Sequence, residues 1–527
     1  MRSINLIASL AAAAALGVAG TADAATYCVG APKDCPADHV DATFQGALNG
    51  AKSGAGNDVI LLGKGVFERA EGYSYATATA SNTVEIRGEG PSETILKTDD
   101  VKKSGNFSVL SLTVAGETDV EGLAVVAPDR TTHNEPVRGI DLHGPVQLDD
   151  VRVSEVGNAY HGPAEGIRTA GGWLNDVHVD LGNGPAAVRV HGGDEVRIHR
   201  SQLRGGIGVY AEHAGPVRVA GTRIHAANGI QNVLGAPVTV ANVEIRLRTA
   251  YGIGLGVQAG KGEDAAIKAS HVTIHGEGRA DTHGVLALAN DGRKALVEID
   301  DSIVAGVAHG LARQTDDAGG DATISLKTVN YDSSGDVFGG LGKFPKQGVT
   351  NLAPGFADAA GGDLRLVRTS PLIDKGTDPT LVDVALYDVL GSWRKVGPAR
   401  DLGAHEHQHA APTAVIDVPE DVVSEIGTKL TAAKSTPNDA GDTIVAWSWS
   451  FGDGATSTAG PEAWHAWAAP GTYEVTLTVT DLDGKTHTAK RDVLVRVPDV
   501  PIERPCLDCG GSGSGGGTGG GGGGATT

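Results

Sequence analysis

GVYAEHAGPVRVAGTRIHAANGIQNV, residues 208–233, holds one full turn of a pattern that runs through most of this 527-residue chain. A Gly followed by an aliphatic residue, Gly208-Val209, returns 21 residues later as Gly229-Ile230. Between them, PVRVA and TRI alternate apolar and polar side chains with the period of two that sends neighbours to opposite faces of a β-strand. The same anchor is found outward in both directions, at Gly139-Ile140, Gly166-Ile167, Ala187-Val188, Gly252-Ile253, Gly284-Val285 and Gly310-Leu311. Steps between the aliphatic members are 27, 21, 21, 21, 23, 32 and 26 residues. A period in the low twenties with three short strands in each is a solenoid pattern. The Gly content and β-branched runs exclude helical repeats, no leucine-rich framework recurs, and a propeller blade needs about twice this period. The solution left is all-β: a right-handed parallel β-helix with one coil per repeat, coils stacking about 4.8 Å apart. Its inward Val, Ile and Leu form continuous stacks, which fits a chain with 77 Gly, one Met and only 4% aromatic residues.

The flanks fit this plan. Residues 1–24 have a basic start at Arg2, an apolar run and a small-x-small ADA at 22–24, and read as a signal peptide. No later run is apolar enough to span a bilayer, so the expectation is an exported protein with no membrane partner after signal cleavage. The net charge of -21 argues against nucleic acid as a partner. In an oxidising compartment the four cysteines form two local disulfides, Cys28–Cys35 and Cys506–Cys509. Phe44, Leu48 and Ala51 recur at helical spacing and predict a short helix covering the first coil, whose strand edges are otherwise unpaired.

Asp41–Glu68 resembles the entry cap of secreted β-helix proteins of the pectate-lyase-like class. SPLIDKGTDP, 370–379, and ARDLGAHE, 399–406, resemble their closing motif and imply a terminal coil. The β-helix is therefore assigned to residues 25–408. His405, Glu406 and His409 also match H-E-x-x-H, but Gly403 and Pro412 bracket a stretch without helical context, so zinc protease chemistry is rejected. A second domain is assigned to 411–497. Trp449-Ser450-Phe451-Gly452-Asp453-Gly454 and the later GTYEVTLTV closely resemble a PKD (polycystic kidney disease) domain, an immunoglobulin-like sandwich. Such domains resemble modules that bind or present polysaccharide or protein, and Trp447, Trp464 and Trp467 are candidate exposed aromatics. Residues 498–527 read as a Cys-containing, Gly-rich flexible tail.

Chemistry is sought on the outward face of the coils. The residue after each anchor aliphatic gives the row Asp141, Arg168, Arg189, Tyr210, Gln231, then Gly254, Leu286 and Ala312. Two residues further on come His143, Ala170, His191, Glu212 and Val233. Arg168 and Arg189 suit a uronate or sulfate, Tyr210 a sugar ring, and His143, His191 and Gln231 complete a candidate binding face. Asp141 and Glu212, with Arg168 and Arg189, are the catalytic candidates; the carboxylates also suit calcium, the one cofactor considered. Pectin-degrading hydrolases of this class carry sets of which only fragments occur here, AHG at 308–310 and RIHR at 197–200. Asp149-Asp150 falls between sheet strands rather than on this face, and Asp300-Asp301 and Asp316-Asp317, the candidates for a calcium cluster, read as turn markers. Two functions follow as expectations: recognition of an extracellular polysaccharide, with or without lyase or hydrolase activity on acidic glycans, and a cell-surface adhesion role with the β-helix as spacer and the PKD domain as protein-binding module.

Overall fold

The structure is a computed structural model that describes residues 24–53, 56–98, 107–127, 137–155, 164–182, 186–316, 319–332, 334–377, 386–408, 410–438, 442–482 and 484–498. The body of the signal peptide, the Cys506–Cys509 pair and the Gly-rich tail lie outside these residues. The chain separates into two compact units, Met1–His409 and Ala410–Thr527.

In the first unit each coil contributes a strand to each of three parallel sheets. Inward residues of the first sheet stack in the register Leu110, Ile140, Ile167, Val188, Val209, Ile230, Leu255, Val285 and Leu311. All nine are 0% exposed, so each coil buries aliphatic surface against the next without needing aromatic rings. Helix Phe44–Ser53 lays Phe44, Ala47, Leu48 and Ala51 on the first coils, and Thr43 Oγ1 accepts the Gly46 N–H at 3.2 Å as its N-cap. The Cys28–Cys35 disulfide forms at this end.

The register corrects one anchor. Ile230 pairs with Leu255, and Leu255 with Val285, so Gly254-Leu255 takes the place assigned to Gly252-Ile253. GIGLG, 252–256, offers two Gly-aliphatic pairs, and packing selects between them. The anchor glycines lie against branched side chains of the third sheet. A Cβ on Gly254 would come within 2.6 Å of Ile274 Cγ2, as one on Gly208 would meet Ile224 Cγ2 at 2.3 Å and one on Gly284 would meet Val304 Cγ1 at 2.3 Å. Gly208→Val is therefore expected to cost about 3 kcal/mol in urea unfolding by overpacking. Gly193→Val, where a Cβ meets nothing within 4 Å, should leave the unfolding midpoint in place.

Second and third sheets meet at a tight corner held by one left-handed residue per coil. Gly122, Asp150, Asp176, Arg200, Gly221, Asn242, His271, Asp301 and Thr328 occupy it, with φ between 46° and 67°. Asp and Asn tolerate this region better than most residues, which accounts for Asp301 as a turn residue and places Asp150 at the same corner.

The ladder ends near Thr350, which bridges Asn330. The closing motif does not form a further coil. It returns along the flank of earlier coils, a correction to the expected terminal coil. The corner residues receive it: the Thr377 N–H donates to Asp301 Oδ1 at 3.0 Å, Gly403 N–H to Asp301 O at 2.8 Å, and Asn242 Nδ2 to Tyr387 O at 3.0 Å. His405 Nε2 lies 2.6 Å from Glu244 Oε2, while the Glu406 carboxylate accepts the Val396 and Asp401 N–H groups. His405 and Glu406 thus face different partners on a non-helical segment, and His409 falls outside the described residues.

In the second unit, Val422–Val423, Thr486–Arg496, Gly471–Asp481, Ile444–Ser450 and Thr456–Ser457 form one sheet, and Thr428–Thr431 pairs with Glu462–His465 in another. Trp449, Phe451, Val475, Leu477 and Val479 fill the space between. Gly452 and Gly454, at φ 84° and 93°, make the turn of the FGDG string.

Candidate binding face on the first sheet

The register places five predicted residues side by side: Asp141 beside Arg168, Arg168 beside Arg189, Arg189 beside Tyr210, and Tyr210 beside Gln231. Beyond Gln231 the row continues Gly256, Leu286, Ala312, so Gly254 is corrected to Gly256 with the anchor. Before Asp141 stand Ser111 and Ser74. The charged part of the row is thus bounded by small or apolar residues at both ends. In the second row His191 is beside Glu212 and Glu212 beside Val233; the His143 and His191 rings meet edge to face at 5.4 Å, on either side of Ala170 in the sequence of coils.

Two residues not singled out from the sequence organise the face. Arg138 and Glu165 are cross-strand neighbours that immediately precede the anchor glycines of successive coils, and both are nearly buried. Arg138 Nε donates to Glu165 Oε2 at 2.9 Å, and Arg189 Nη1 donates to Glu165 Oε1 at 2.9 Å. Arg189 also holds Glu212 and lies over the Tyr210 ring, 5.2 Å from its centroid. Asp141 turns to Arg138, at 3.6 Å, and to His143 Nε2, at 3.3 Å. Gln231 folds down over Gly256, where a Cβ would come 2.1 Å from its Oε1.

The predicted residues therefore differ in availability. Arg189 is committed to both Glu165 and Glu212, one face of Tyr210 is taken by a guanidinium, and Asp141 is buried between Arg138 and His143. Arg168 makes no hydrogen bond or ion pair among the described residues and is half-buried. Burial, and then the Arg168 charge, holds His191 below its ordinary pKa, so this imidazole is neutral at pH 7. Calcium would need carboxylates that are not already paired. Among the described residues this face presents none in a three-ligand group; the one cluster with ligand spacing is Cys28, Cys35 and His39, whose thiols form the disulfide.

In the second unit Trp467 is fully buried, its Nε1 donating to Phe451 O at 3.0 Å, which removes it from the exposed aromatics. Trp447 is half-buried, and Trp464 is 67% exposed. His465 stacks on Phe451 and bonds Asp453 at 2.7 Å, so Asp453 braces the turn.

Residues 409–495 match the PKD domain family, and the chain carries this domain after its β-helix. It is 36% identical over 87 residues to a microbial collagenase of Vibrio alginolyticus, covering 16% of this chain and 10% of that protein. The chain thus spans about a tenth of that relative's length. The PKD1 domain of Vibrio anguillarum Epp is matched at 30% identity, over 17% of this chain and 100% of that one, with a TM-score of 0.15. Pectate lyase Pel9A is matched at 12% identity with a TM-score of 0.46, over 73% of this chain and 98% of that one. Among the described residues no helix is long and apolar enough to cross a membrane.

Proposed function

We propose that this is an exported polysaccharide-recognition protein whose β-helix binds an acidic glycan across the row from Asp141 to Gln231. The observation that carries this reading is Arg168. On a face where Arg138 is paired with Glu165 and Asp141, and Arg189 with Glu165 and Glu212, it is the guanidinium left to meet a carboxylate or sulfate from outside. Five coils span about 20 Å, the length of a short oligosaccharide. Arg189, held from both sides, positions Tyr210 and Glu212 rather than gripping the ligand itself. In the PKD domain, the exposed Trp464 is a further surface for a sugar or a protein partner.

A lyase reading is favoured by one local feature, the Asp141 carboxylate behind His143. Elimination from a uronate gives the C5 proton to a base while the C4–C5 double bond forms and the C4–O bond breaks, the leaving oxygen taking a proton from water; a cation holds the carboxylate. His143 and Arg168 are the groups for those roles. The test is a glycan array probed with the purified mature protein, in calcium and in chelator, followed by ultraviolet detection of unsaturated uronates on any acidic glycan bound. Binding to uronate or sulfated glycans is the expected result. Absence of binding in both conditions removes this reading in favour of an adhesion role with a protein partner.

A further inference from the structure

A groove of about 510 Å³ lies on the second sheet, apart from the face described above. It runs along the coil axis between two outward rows. One row is Gln147, Trp173, Arg197 and Arg218; the other is Asp149, Asn175 and His199. Leu148, Leu174 and Ile198 lie beneath the floor and are essentially unexposed. Successive outward residues on one strand are about 6.6 Å apart, so the trench is about one sugar ring wide.

Its walls are held in place. Trp173 is 50% exposed even though the Arg197 guanidinium covers one face of its ring, 4.9 Å from the centroid, so a ligand would use the rest of the indole. Arg197 is fixed by Glu195, its Nε and Nη2 donating at 3.0 and 2.8 Å, and Arg218 Nε donates to the other oxygen at 2.6 Å. Across the trench Asn175 Nδ2 donates to Asp149 Oδ1 at 2.7 Å, and the His199 ring lies 3.4 Å from Asn175 Oδ1. Burial, and then Arg200, keeps His199 below its ordinary pKa and therefore neutral at pH 7. The charges then balance, Arg197 and Arg218 against Glu195 and Asp149.

A half-exposed indole facing planar, pre-oriented amide, carboxylate and guanidinium groups, with no net charge, matches the chemistry of a pyranose: an apolar C–H face and a rim of hydroxyls that both donate and accept. The lack of cationic excess disfavours a polyanion. The groove lies on a sheet face whose backbone groups are already paired, so a peptide could not add as a strand. We propose that this groove is a second glycan site, specific for neutral pyranose polymers, with one ring seated on Trp173 and its hydroxyls on Asn175 and Asp149.

The test is affinity electrophoresis in native gels cast with xylan, glucomannan, galactomannan or hydroxyethylcellulose, together with thermal melting of each variant. At least one gel should retard the wild type. Trp173→Ala and Asn175→Ala should each weaken that retardation by at least about tenfold with unchanged melting, and Arg168→Ala should leave it intact. Asn175→Ala carries the test alone if Trp173→Ala fails to fold. The proposal is overturned if none of the four polymers retards the wild type, or if Asn175→Ala and any folded Trp173→Ala migrate as it does. Arg168→Ala on acidic glycans reports separately on the first-sheet face, so either site can fail without the other.

Discussion

Arg394→Ala is expected to release the closing segment and lower unfolding free energy by about 3–5 kcal/mol. Arg394 is 1% exposed and donates to Gly403 O. The carboxylates of Glu406, Asp388 and Asp401 supply the negative charge around it. Burial pushes its pKa down to about 10, which still leaves it charged at pH 7. Its removal leaves three buried carboxylates around an empty centre. One is already strained: burial, and then Asp401, raises the Glu406 pKa to about 7. The carboxylates cannot simply all protonate, because they accept backbone N–H groups that define the segment. Asp401 takes those of Asp374 and His407, and Asp388 takes those of Leu390, Ser392 and Glu406. Since the segment packs on coils that are complete without it, a separate early transition in urea is the expected form of the loss. An unchanged single transition would show that Arg394 does not hold the strap.

Glu165→Ala should have two effects of opposite sign. Its carboxylate, 6% exposed, joins Arg138 to Arg189 across three consecutive coils. Without it the two guanidiniums face each other with less compensation, and a destabilisation of about 3 kcal/mol is expected. The same change leaves Arg189 paired with Glu212 alone and adds one net positive charge to the face. Affinity for an acidic glycan should therefore rise, with a steeper dependence on salt. Calorimetric titration at two ionic strengths, alongside urea unfolding, reads both. A variant that loses stability and also loses glycan affinity would mean that Glu165 shapes the site rather than balancing its charge.

Much of the coil plan could be read from residues because it is local and repeated. The Gly-aliphatic anchor is visible wherever a third-sheet Val or Ile leaves no room for a Cβ, and alternation then assigns the outward row. It is ambiguous at 252–256, where two such pairs stand together and only Ile274, on the third sheet of the same coil, selects between them. The closing motif was recognisable, but its position was not. That depends on Asp301, Thr273 and Glu244, residues 76–161 positions away, meeting one short segment. On the candidate face the row was legible, while its ion pairing was not. Arg138-Gly139 and Glu165-Gly166 did carry a signal, opposite charges before the anchor glycine in successive coils. Trp467 reads as a candidate exposed aromatic although it is buried, because sandwich cores and sugar platforms use the same residue type. Trp173 gives no signal of its own in the sequence, because a single aromatic beside Leu174 is indistinguishable from a core residue until the facing of the strand Gly172–Asn175 is known.

The central claim, that the charged row of the first sheet is the binding face, is tested most directly by calorimetry. Wild type and Arg168→Ala would be titrated with oligogalacturonate, or with the acidic glycan bound most strongly on the array, in chelator at low salt. The account predicts salt-sensitive binding by wild type and a loss of about tenfold to a hundredfold in Arg168→Ala at unchanged melting temperature, the worth of one charge-assisted pair. Equal affinities for the two proteins would contradict it.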